Sequence, residues 1–322
     1  MRAIRIPAHG GPEVLESAEL DQPAPQSGEL LVEVAAAGVN FIDTYQRSGL
    51  YSVPLPFTPG VEGAGTVREV GPDVTEFSPG DRVAWVMSPG GYAERAAVPA
   101  RNAVRIPDGV EERTAAAAML QGMTAHFLVA STHPVRAGET ALVHAAAGGV
   151  GLLLTQLIKA RGGNVIGTVS TAEKAELARA AGADEIIRYT EADVAEEIRD
   201  LTDGRGVDVA YDGVGKDTFD GSLAVLRPRG TLALFGASSG PVPPVDPQRL
   251  NSAGSVFLTR PSLAHHILSR EELDWRAGEI FAAIKSSELD VRIGGTYPLD
   301  QARQAHEDLE GRRSTGKLLL LL

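Results

Sequence analysis

The chain has 322 residues, of which 43% are hydrophobic and 22% are charged, and this is the composition of a globular protein with a sizeable core. Its formal net charge of −12 repels the phosphates of nucleic acids and anionic lipid surfaces, so we expect neither as a partner. The absence of cysteine excludes disulfides, thiol nucleophiles and thiolate metal ligands.

From Met1 to Gly122 the sequence consists of short β-rich runs separated by glycine and proline, which is typical of a small irregular barrel or sandwich. The first residues carry charges and Pro7 where a signal peptide needs an apolar stretch, and no run reaches the roughly 20 apolar residues of a membrane span. A cytoplasmic protein without membrane contact is therefore expected. The predicted strands are Leu30 to Ala37, Gly65 to Val70, Arg82 to Val86 and Ala103 to Ile106, and the predicted helices are Phe41 to Arg47 and Glu112 to Met119.

From about Thr140 the pattern changes to strands that alternate with helices, which indicates an α/β domain with a doubly wound parallel sheet. The predicted strands are Thr140 to His144, Asn164 to Val169, Glu185 to Ile187, Val207 to Tyr211, Thr231 to Phe235 and Ser255 to Thr259. The predicted helices are Gly149 to Arg161, Ala172 to Ala181, Asp193 to Leu201 and Lys216 to Leu226. We interpret this segment as one nucleotide-binding domain.

The C-terminal segment has two helical patterns, Arg270 to Ser286 and Leu299 to Leu309, followed by an apolar strand from Lys317 to Leu322. A terminal strand needs partners for its backbone N–H and C=O groups. We expect this strand to pair within the first domain, which makes that domain discontinuous. The predicted limits are 1–122 with 264–322 for the first domain and 123–263 for the nucleotide-binding domain.

The strongest functional signal is the run from Ala145 to Gly151, which joins an apolar strand to an apolar helix. Its last six residues follow the dinucleotide-binding fingerprint, with Ala146 in place of the first glycine. Gly148 lets the backbone approach a pyrophosphate, and Gly151 lets the helix pack closely on the strand. The alternative is a small-residue turn that binds nothing, and the strand–helix repeats that follow disfavour it. The predicted cofactor contacts are Ala147, Gly148, Gly149, Val150 and Gly151.

The end of the second nucleotide-domain strand selects between the two nicotinamide nucleotides, because NAD-binding proteins place a carboxylate there for the ribose hydroxyls. Here the strand ends in Thr168-Val169-Ser170-Thr171 and offers no carboxylate. Ser170 can donate a hydrogen bond, Lys174 can face a 2′-phosphate, and Tyr189 can cover the adenosine. NADPH is therefore the predicted cofactor, although Lys174 alone also suits an ordinary solvated helix face.

A set of distinctive segments is distributed along the chain. They are Asn40 to Tyr45, Arg47 to Tyr51, Pro59 to Gly65, Gly80 to Val83, His144 to Gly151, Tyr211 to Gly215 and Thr259 to Leu263. In this order they resemble the zinc-independent quinone oxidoreductases of the medium-chain dehydrogenase/reductase superfamily, and the resemblance covers essentially the whole chain. It implies a GroES-like catalytic domain built from both chain ends, an inserted Rossmann domain, and a cleft between them where substrate and nicotinamide meet.

The resemblance also implies roles for single residues. Those residues are Asn40, Tyr45, Tyr51, Thr124, Phe235, Gly236 and Arg312. The first three are expected to line the cleft, where Asn40 orients the substrate or the nicotinamide and the tyrosines either shape an aromatic pocket or only pack. Thr124 is expected near the nicotinamide or its ribose, the pair after the fifth nucleotide-domain strand beside the cofactor, and Arg312 at the cofactor from the C-terminal segment.

The resemblance bears on metal binding as well. Zinc-dependent relatives carry a His-Glu pair in the segment that reads Gly60-Val61-Glu62-Gly63 here, so Val61 replaces a histidine ligand. The cysteine ligands are missing too, and the neighbouring His265 and His266 project differently on a helix. No metal is expected, and alcohol oxidation therefore lacks its Lewis acid.

The activity implied by the resemblance is that of an NADPH:quinone reductase. Such a reaction needs few acids or bases, since the hydride goes to an activated ring and the oxyanion can take its proton from solvent. The nearest alternative is a reductase of conjugated enones or enoyl thioesters, and the alternative of another class is a non-enzymatic NADPH-binding sensor or structural protein. A homodimer is expected, joined through the apolar strand Val256 to Thr259.

Overall fold

The computed structural model describes residues 1–322, and the contacts between them divide the chain into two compact units. Unit 1 comprises Met1–Met123 and Ile267–Leu322, and unit 2 comprises Thr124–His266. The limits of the functional domains given above stay predictions. No helix combines the length and the apolar character that are needed to cross a membrane.

The N-terminal part of unit 1 consists mainly of strands. They are β1 (Arg2–Arg5), β2 (Glu16–Glu19), β3 (Glu29–Val39), β4 (Glu62–Val70), β5 (Arg82–Val86), β6 (Arg95–Pro99) and β7 (Ala103–Arg105), and the helices are α1 (Phe41–Ser48) and α2 (Glu112–Phe127). The long strand β3 pairs antiparallel with both β4 and β6. Its end leads directly into α1, where the Asp43 carboxylate accepts the backbone N–H of Asn40 at 2.9 Å. This bond satisfies a backbone donor at the start of the helix.

Unit 2 alternates strands and helices. They are β8 (Thr140–Val143), α3 (Gly149–Ala160), β9 (Asn164–Val169), α4 (Ala172–Ala180), β10 (Glu185–Arg188), α5 (Val194–Leu201), β11 (Val207–Asp212), α6 (Phe219–Ala224), β12 (Leu226–Leu234), α7 (Gln248–Ser252) and β13 (Phe257–Thr259). The sheet has the order β10-β9-β8-β11-β12-β13, and all neighbours are parallel. This topology confirms the predicted doubly wound Rossmann sheet, whose strand order reverses between β8 and β11.

The chain then returns to unit 1 with α8 (Arg270–Lys285), β14 (Ile293–Pro298), α9 (Ala302–Glu310) and β15 (Lys317–Leu321). Strand β15 lies between β14, which is parallel to it, and β3, which is antiparallel, in a sheet of order β14-β15-β3-β4-β5-β7. The expected pairing of the terminal strand with the first part of the chain is thereby confirmed. The register places Leu318 opposite Val39.

Each unit has its own hydrophobic core. The core of unit 1 surrounds the completely buried Trp85 and includes the inward side chains of β3 and β15. The core of unit 2 joins Leu142, Ile166 and Leu232 from the parallel sheet. Strand β9 is buried from Val165 to Val169 without alternation, as expected where helices cover both faces of a parallel sheet.

Helix α2 is longer than predicted. It continues to Phe127 rather than ending at Met119, and Gly122 lies in its interior. A Cβ at Gly122 would lie 3.3 Å from Cγ2 of Ile280, so this glycine permits close packing rather than marking the end of the helix.

Other predicted boundaries also need correction. Strand β12 begins at Leu226 rather than Thr231, and the helix before it is correspondingly shorter. Strand β13 begins at Phe257, because Ser255 has a left-handed φ of 56° that is incompatible with a strand. The strands β1, β2, β6 and β14 were not predicted, since they are short and carry no extended alternation of apolar residues.

Candidate functional site

The turn between β8 and α3 is shaped by backbone contacts that leave no room for a side chain at Gly151. Ala145 has a left-handed φ of 50°, and its carbonyl oxygen accepts the N–H of Gly148 at 2.8 Å. A Cβ at Gly151 would lie 2.8 Å from the Cα of Ala146 and nearer still to the Ala145 carbonyl oxygen. Only glycine therefore allows α3 to approach the turn this closely, which is the steric role predicted for Gly151.

Helix α3 leaves this turn with an N-terminus that no side chain caps. Its N-cap residue is Gly148, whose added Cβ would meet only Ala145 within 4 Å, at 3.1 Å from the carbonyl oxygen. The outer face of Gly148 is therefore open, and Ala147 beside it is buried in the turn. The first backbone amides, including those of Gly149 and Val150, and the positive end of a 12-residue helix suit a bound diphosphate. These residues fit the phosphates of a dinucleotide.

The residues predicted to select the nucleotide come together beyond the end of β9. The N–H of Tyr189 donates to the Val169 carbonyl at 3.2 Å, and the hydroxyl of Thr190 donates to the Ser170 carbonyl at 3.0 Å. The ring of Tyr189 is 42% exposed. Lys174 lies in the first turn of α4, whose N-cap residue is the preceding Thr171. The arrangement fits recognition of the adenosine end of the cofactor.

Phe235 and Gly236 directly follow β12 and lie at the same carboxyl edge of the parallel sheet. The N–H groups of Phe235 and Gly236 donate to the Asp212 carbonyl at 2.8 and 3.3 Å. A Cβ at Gly236 would lie 2.8 Å from the Cα of Gly213, so the loops after β11 and β12 touch backbone to backbone. The crevice at this edge of an open α/β sheet is the usual place for a ligand.

A buried polar network beneath the glycine turn was not predicted as a unit. The Nδ1 and Nε2 atoms of His144 each lie 2.9 Å from a hydroxyl oxygen, that of Thr168 and that of Ser222. The Ser222 hydroxyl donates to the Asp212 carboxylate at 2.9 Å, so it accepts from Nε2–H of the ring, while Thr168 donates to Nδ1. Burial lowers the pKa of His144, and the ring stays neutral.

This network ties β8, β9, β11 and α6 together directly below the cofactor turn. These contacts suit His144 for ordering the turn rather than for catalysis. The sequence pointed to Asp212, because this residue belongs to the distinctive run Tyr211 to Gly215. No sequence feature pointed to Ser222.

In unit 1, the side-chain amide of Asn40 is buried and bonded on both sides. Its Nδ2 donates to the Glu62 carboxylate at 2.6 Å, and its Oδ1 accepts from the Lys317 ammonium at 2.7 Å and from the Gln121 amide at 3.4 Å. Lys317 also forms an ion pair with Glu62. The amide therefore has a defined orientation inside unit 1.

The backbone at the start of α1 is hydrogen-bonded to a second buried carboxylate, that of Asp43. Oδ2 of Asp43 accepts from the N–H of Asn40 at 2.9 Å and from the Tyr92 hydroxyl at 3.1 Å, while Oδ1 has no partner. Burial raises the pKa of Asp43 to about 7, against the opposing effects of the Asn40 N–H and Lys317. This carboxyl group therefore changes its charge near neutral pH.

The two predicted tyrosines are in contact with each other. The rings of Tyr45 and Tyr51 meet edge to face with centroids 5.2 Å apart, and the N–H of Tyr51 donates to the Tyr45 carbonyl at 3.0 Å. Tyr51 is 40% exposed, and Leu50 and Leu55 in the same loop are exposed to a similar degree. An aromatic and apolar surface thus lies beside α1, and it suits a flat apolar ligand.

The remaining predicted residues lie on other elements. Thr124 is half-buried in α2, and Arg312 is exposed just after α9, with a left-handed φ of 56°. Their predicted roles, like those of Asn40, Tyr45 and Tyr51, stay predictions.

The donor set does not fit a zinc ion. No three His, Cys, Asp or Glu side chains are grouped as metal ligands. Val61 offers no ligand atom, and the Glu62 carboxylate is bonded to the Lys317 ammonium, the Asn40 amide and the Leu120 N–H. Glu62 carries the one carboxylate of the segment Gly60 to Gly63, and the Lys317 ammonium is already its ion-pair partner.

Two family models match the chain. The model described as "Alcohol dehydrogenase GroES-like domain" matches residues 26–108, and the model described as "Zinc-binding dehydrogenase" matches residues 149–280. The first match confirms the GroES-like character of unit 1. The second lies largely within unit 2 and covers the glycine turn from Gly149 onward.

Similar proteins cover the chain from end to end. A quinone oxidoreductase of Pseudomonas aeruginosa is 46% identical over 99% of both chains. A 2-haloacrylate reductase of a Burkholderia species is 41% identical over 99% of this chain and 98% of its own. A solved mycobacterial structure, which is complexed with NADPH, is 54% identical with a TM-score of 0.97 and covers 100% of both chains.

Proposed function

Because the chain belongs to the quinone oxidoreductase family of the medium-chain dehydrogenase/reductase superfamily, we propose that it reduces quinones with a hydride from NADPH and without a metal ion. The observation that carries the proposal is the glycine turn at the start of α3, where open backbone amides and the exclusion of side chains suit a nucleotide diphosphate. NADPH as the cofactor is supported by the mycobacterial relative that was solved with it.

The cofactor is assigned to the carboxyl edge of the parallel sheet. NADPH, when bound, supplies the hydride and becomes NADP⁺. The amides that open α3 would hold its diphosphate, and Ser170 and Lys174 would contact the 2′-phosphate that distinguishes it from NADH. Tyr189 would cover the adenine, since it is 42% exposed and its backbone N–H is bonded to the Val169 carbonyl, next to Ser170 in the chain. The buried network of His144, Thr168, Ser222 and Asp212 below the turn would keep these backbone donors in place.

The acceptor is assigned to the aromatic surface of unit 1. A quinone ring is already electrophilic, so it takes the hydride and then one proton from solvent to become a hydroquinone. Tyr45 and Tyr51 would stack against the ring, and the Tyr51 hydroxyl would stabilise the oxyanion as it develops. The bonds of the Asn40 amide to Glu62 and Lys317 fix its own orientation, and the amide would in turn orient the substrate or the nicotinamide.

The proposal is tested by NADPH oxidation with a panel of acceptors, measured before and after treatment with a chelator. We expect rapid turnover of p-benzoquinone that the chelator does not change. Loss of turnover on chelation would contradict the metal-free mechanism. NADPH binding without turnover of any acceptor would instead favour a non-enzymatic binding protein.

Reduction of activated alkenes is the second candidate, and the 2-haloacrylate reductase among the relatives favours it. The hydride would add to the β-carbon of a conjugated alkene in the same site. Enoyl thioesters of phosphorylated carriers suit the chain less well, because its net charge of −12 repels their phosphates. The ratio of kcat/KM for p-benzoquinone to that for an alkenal decides between the two candidates.

A further inference from the structure

Unit 1 contains an ion pair that is completely buried. Glu62 on β4 is 0% exposed and Lys317 at the start of β15 is 1% exposed, and the two are in contact. Charged groups are rarely buried unless they are paired, and a buried pair often contributes little net stability compared with apolar residues. The position of this pair therefore calls for a reason other than stability.

The pair lies directly on the Asn40 amide. Lys317 donates to Oδ1 of Asn40 at 2.7 Å, and Nδ2 of Asn40 donates to Oε1 of Glu62 at 2.6 Å, so the three side chains form a closed triangle. A rotation of the amide by 180° would bring its NH₂ group against the ammonium and its oxygen against the carboxylate. The ion pair therefore permits only one orientation of Asn40.

Further groups hold the triangle in place. The second carboxylate oxygen of Glu62 accepts the backbone N–H of Leu120 in α2 at 2.6 Å. A Cβ at Gly38 would lie 2.7 Å from Cγ of Glu62, so glycine at this position of β3 makes room for the carboxylate. The triangle thus connects β3, β4, β15 and α2 at the point where α1 begins.

Asn40 is followed at once by α1, the helix that carries Tyr45. We propose that Lys317, acting with Glu62, is a positioning residue for quinone reduction, because the pair fixes the Asn40 amide and the start of α1. The inference rests on the proposed function, since its kinetic readout is NADPH-dependent turnover of a quinone. Lys317 itself contacts neither proposed ligand in this role.

The test compares variants that remove the pair with variants that remove its target. Lys317→Met leaves Glu62 unpaired in the interior and is expected to lower the melting temperature. The double variant Lys317→Met/Glu62→Gln removes both charges at similar volume, so it keeps the fold available for measurement. Asn40→Ala removes the target, and Lys285→Met, at an exposed lysine on α8, is the matched control.

Three quantities are measured for each variant: the NADPH dissociation constant, kcat and KM for p-benzoquinone, and hydrogen exchange of the segment 40–48. In the double variant we expect NADPH binding to stay within about twofold, kcat to fall at least about tenfold, and exchange at the start of α1 to accelerate by about tenfold. Adding Asn40→Ala to the double variant is expected to lower kcat by less than about threefold beyond Asn40→Ala alone, because all the changes remove one unit.

The outcomes separate the two proposals. A double variant with the kcat and the exchange rates of the wild type would overturn the positioning role, and so would kcat losses that multiply when Asn40→Ala is added. A wild-type protein that binds NADPH but reduces no quinone would overturn the proposed function instead. In that case the exchange rates still decide whether the ion pair fixes the start of α1.

Discussion

Replacement of Gly148 by alanine tests the phosphate site most directly, because it adds one methyl group at the open face of the turn. The new Cβ would touch only the Ala145 carbonyl oxygen, at 3.1 Å, and the backbone of Gly148 is extended with a φ of −80°. The free energy of unfolding should therefore fall by no more than about 1 kcal/mol, which is the cost of alanine at an N-cap position. The binding free energy of NADPH should weaken by more than this.

The magnitude follows from the amides that the methyl group shields. Displacing the diphosphate so that one charge-assisted hydrogen bond is lost costs about 1.5–3 kcal/mol, or roughly 10- to 150-fold in the dissociation constant. Gly151→Ala should behave in the opposite way. Its Cβ would lie 2.8 Å from the Cα of Ala146, and this overpacking should destabilise the fold by about 1–3 kcal/mol.

Fluorescence titration with NADPH and urea unfolding measure the two effects separately. Gly221→Ala in α6 is the matched control, because an added Cβ at that position would meet nothing within 4 Å. It should leave the affinity unchanged. If Gly148→Ala bound NADPH within about twofold of the wild type, the diphosphate would not lie at the start of α3, and the assignment of the cofactor site would be refuted.

The remaining predictions concern single side chains of both units. Lys174→Glu should weaken NADPH at least about tenfold more than NADH in fluorescence titrations, and equal losses would contradict its contact with the 2′-phosphate. Tyr51→Phe should lower kcat/KM for p-benzoquinone by about 5- to 10-fold, and a change below about twofold would remove the polar role of its hydroxyl. Asp43→Asn should flatten the pH dependence of the unfolding free energy between about pH 4 and 7, by up to about 4 kcal/mol. The sign follows from the pKa of Asp43, which burial raises to about 7. The contribution of this carboxyl group to stability is therefore complete at low pH and is lost as the pH rises through that value. If the unfolding free energies of wild type and variant, measured by urea unfolding, changed in parallel with pH, this role of Asp43 would be contradicted. Phe257→Asp should convert a homodimer into a monomer in light scattering, because this residue is 63% exposed on the edge strand β13, and a monomeric wild type would exclude the dimer.

The sequence was sufficient for features that depend on neighbours along the chain. The alternation of apolar strands and amphipathic helices after Thr140 predicted the parallel sheet, because each period reflects which faces a local segment buries. The turn from Ala145 to Gly151 was equally readable, since the steric need for Gly151 arises from atoms only five or six residues away. For the same reason Asp43 could be placed in the first turn of a helix, although its burial and raised pKa could not be foreseen.

The surroundings of the candidate site were decided by the tertiary structure. Lys317 reads as the charged start of an apolar terminal strand, yet it bonds to Asn40, which lies 277 positions earlier in the chain. Ser222 similarly gave no signal, although it connects His144 to Asp212. The side-chain pattern of a strand fixes which face is buried, but it does not fix the register against a distant partner. That register is set by the packing of the whole sheet, and it alone determines which polar groups meet in the interior.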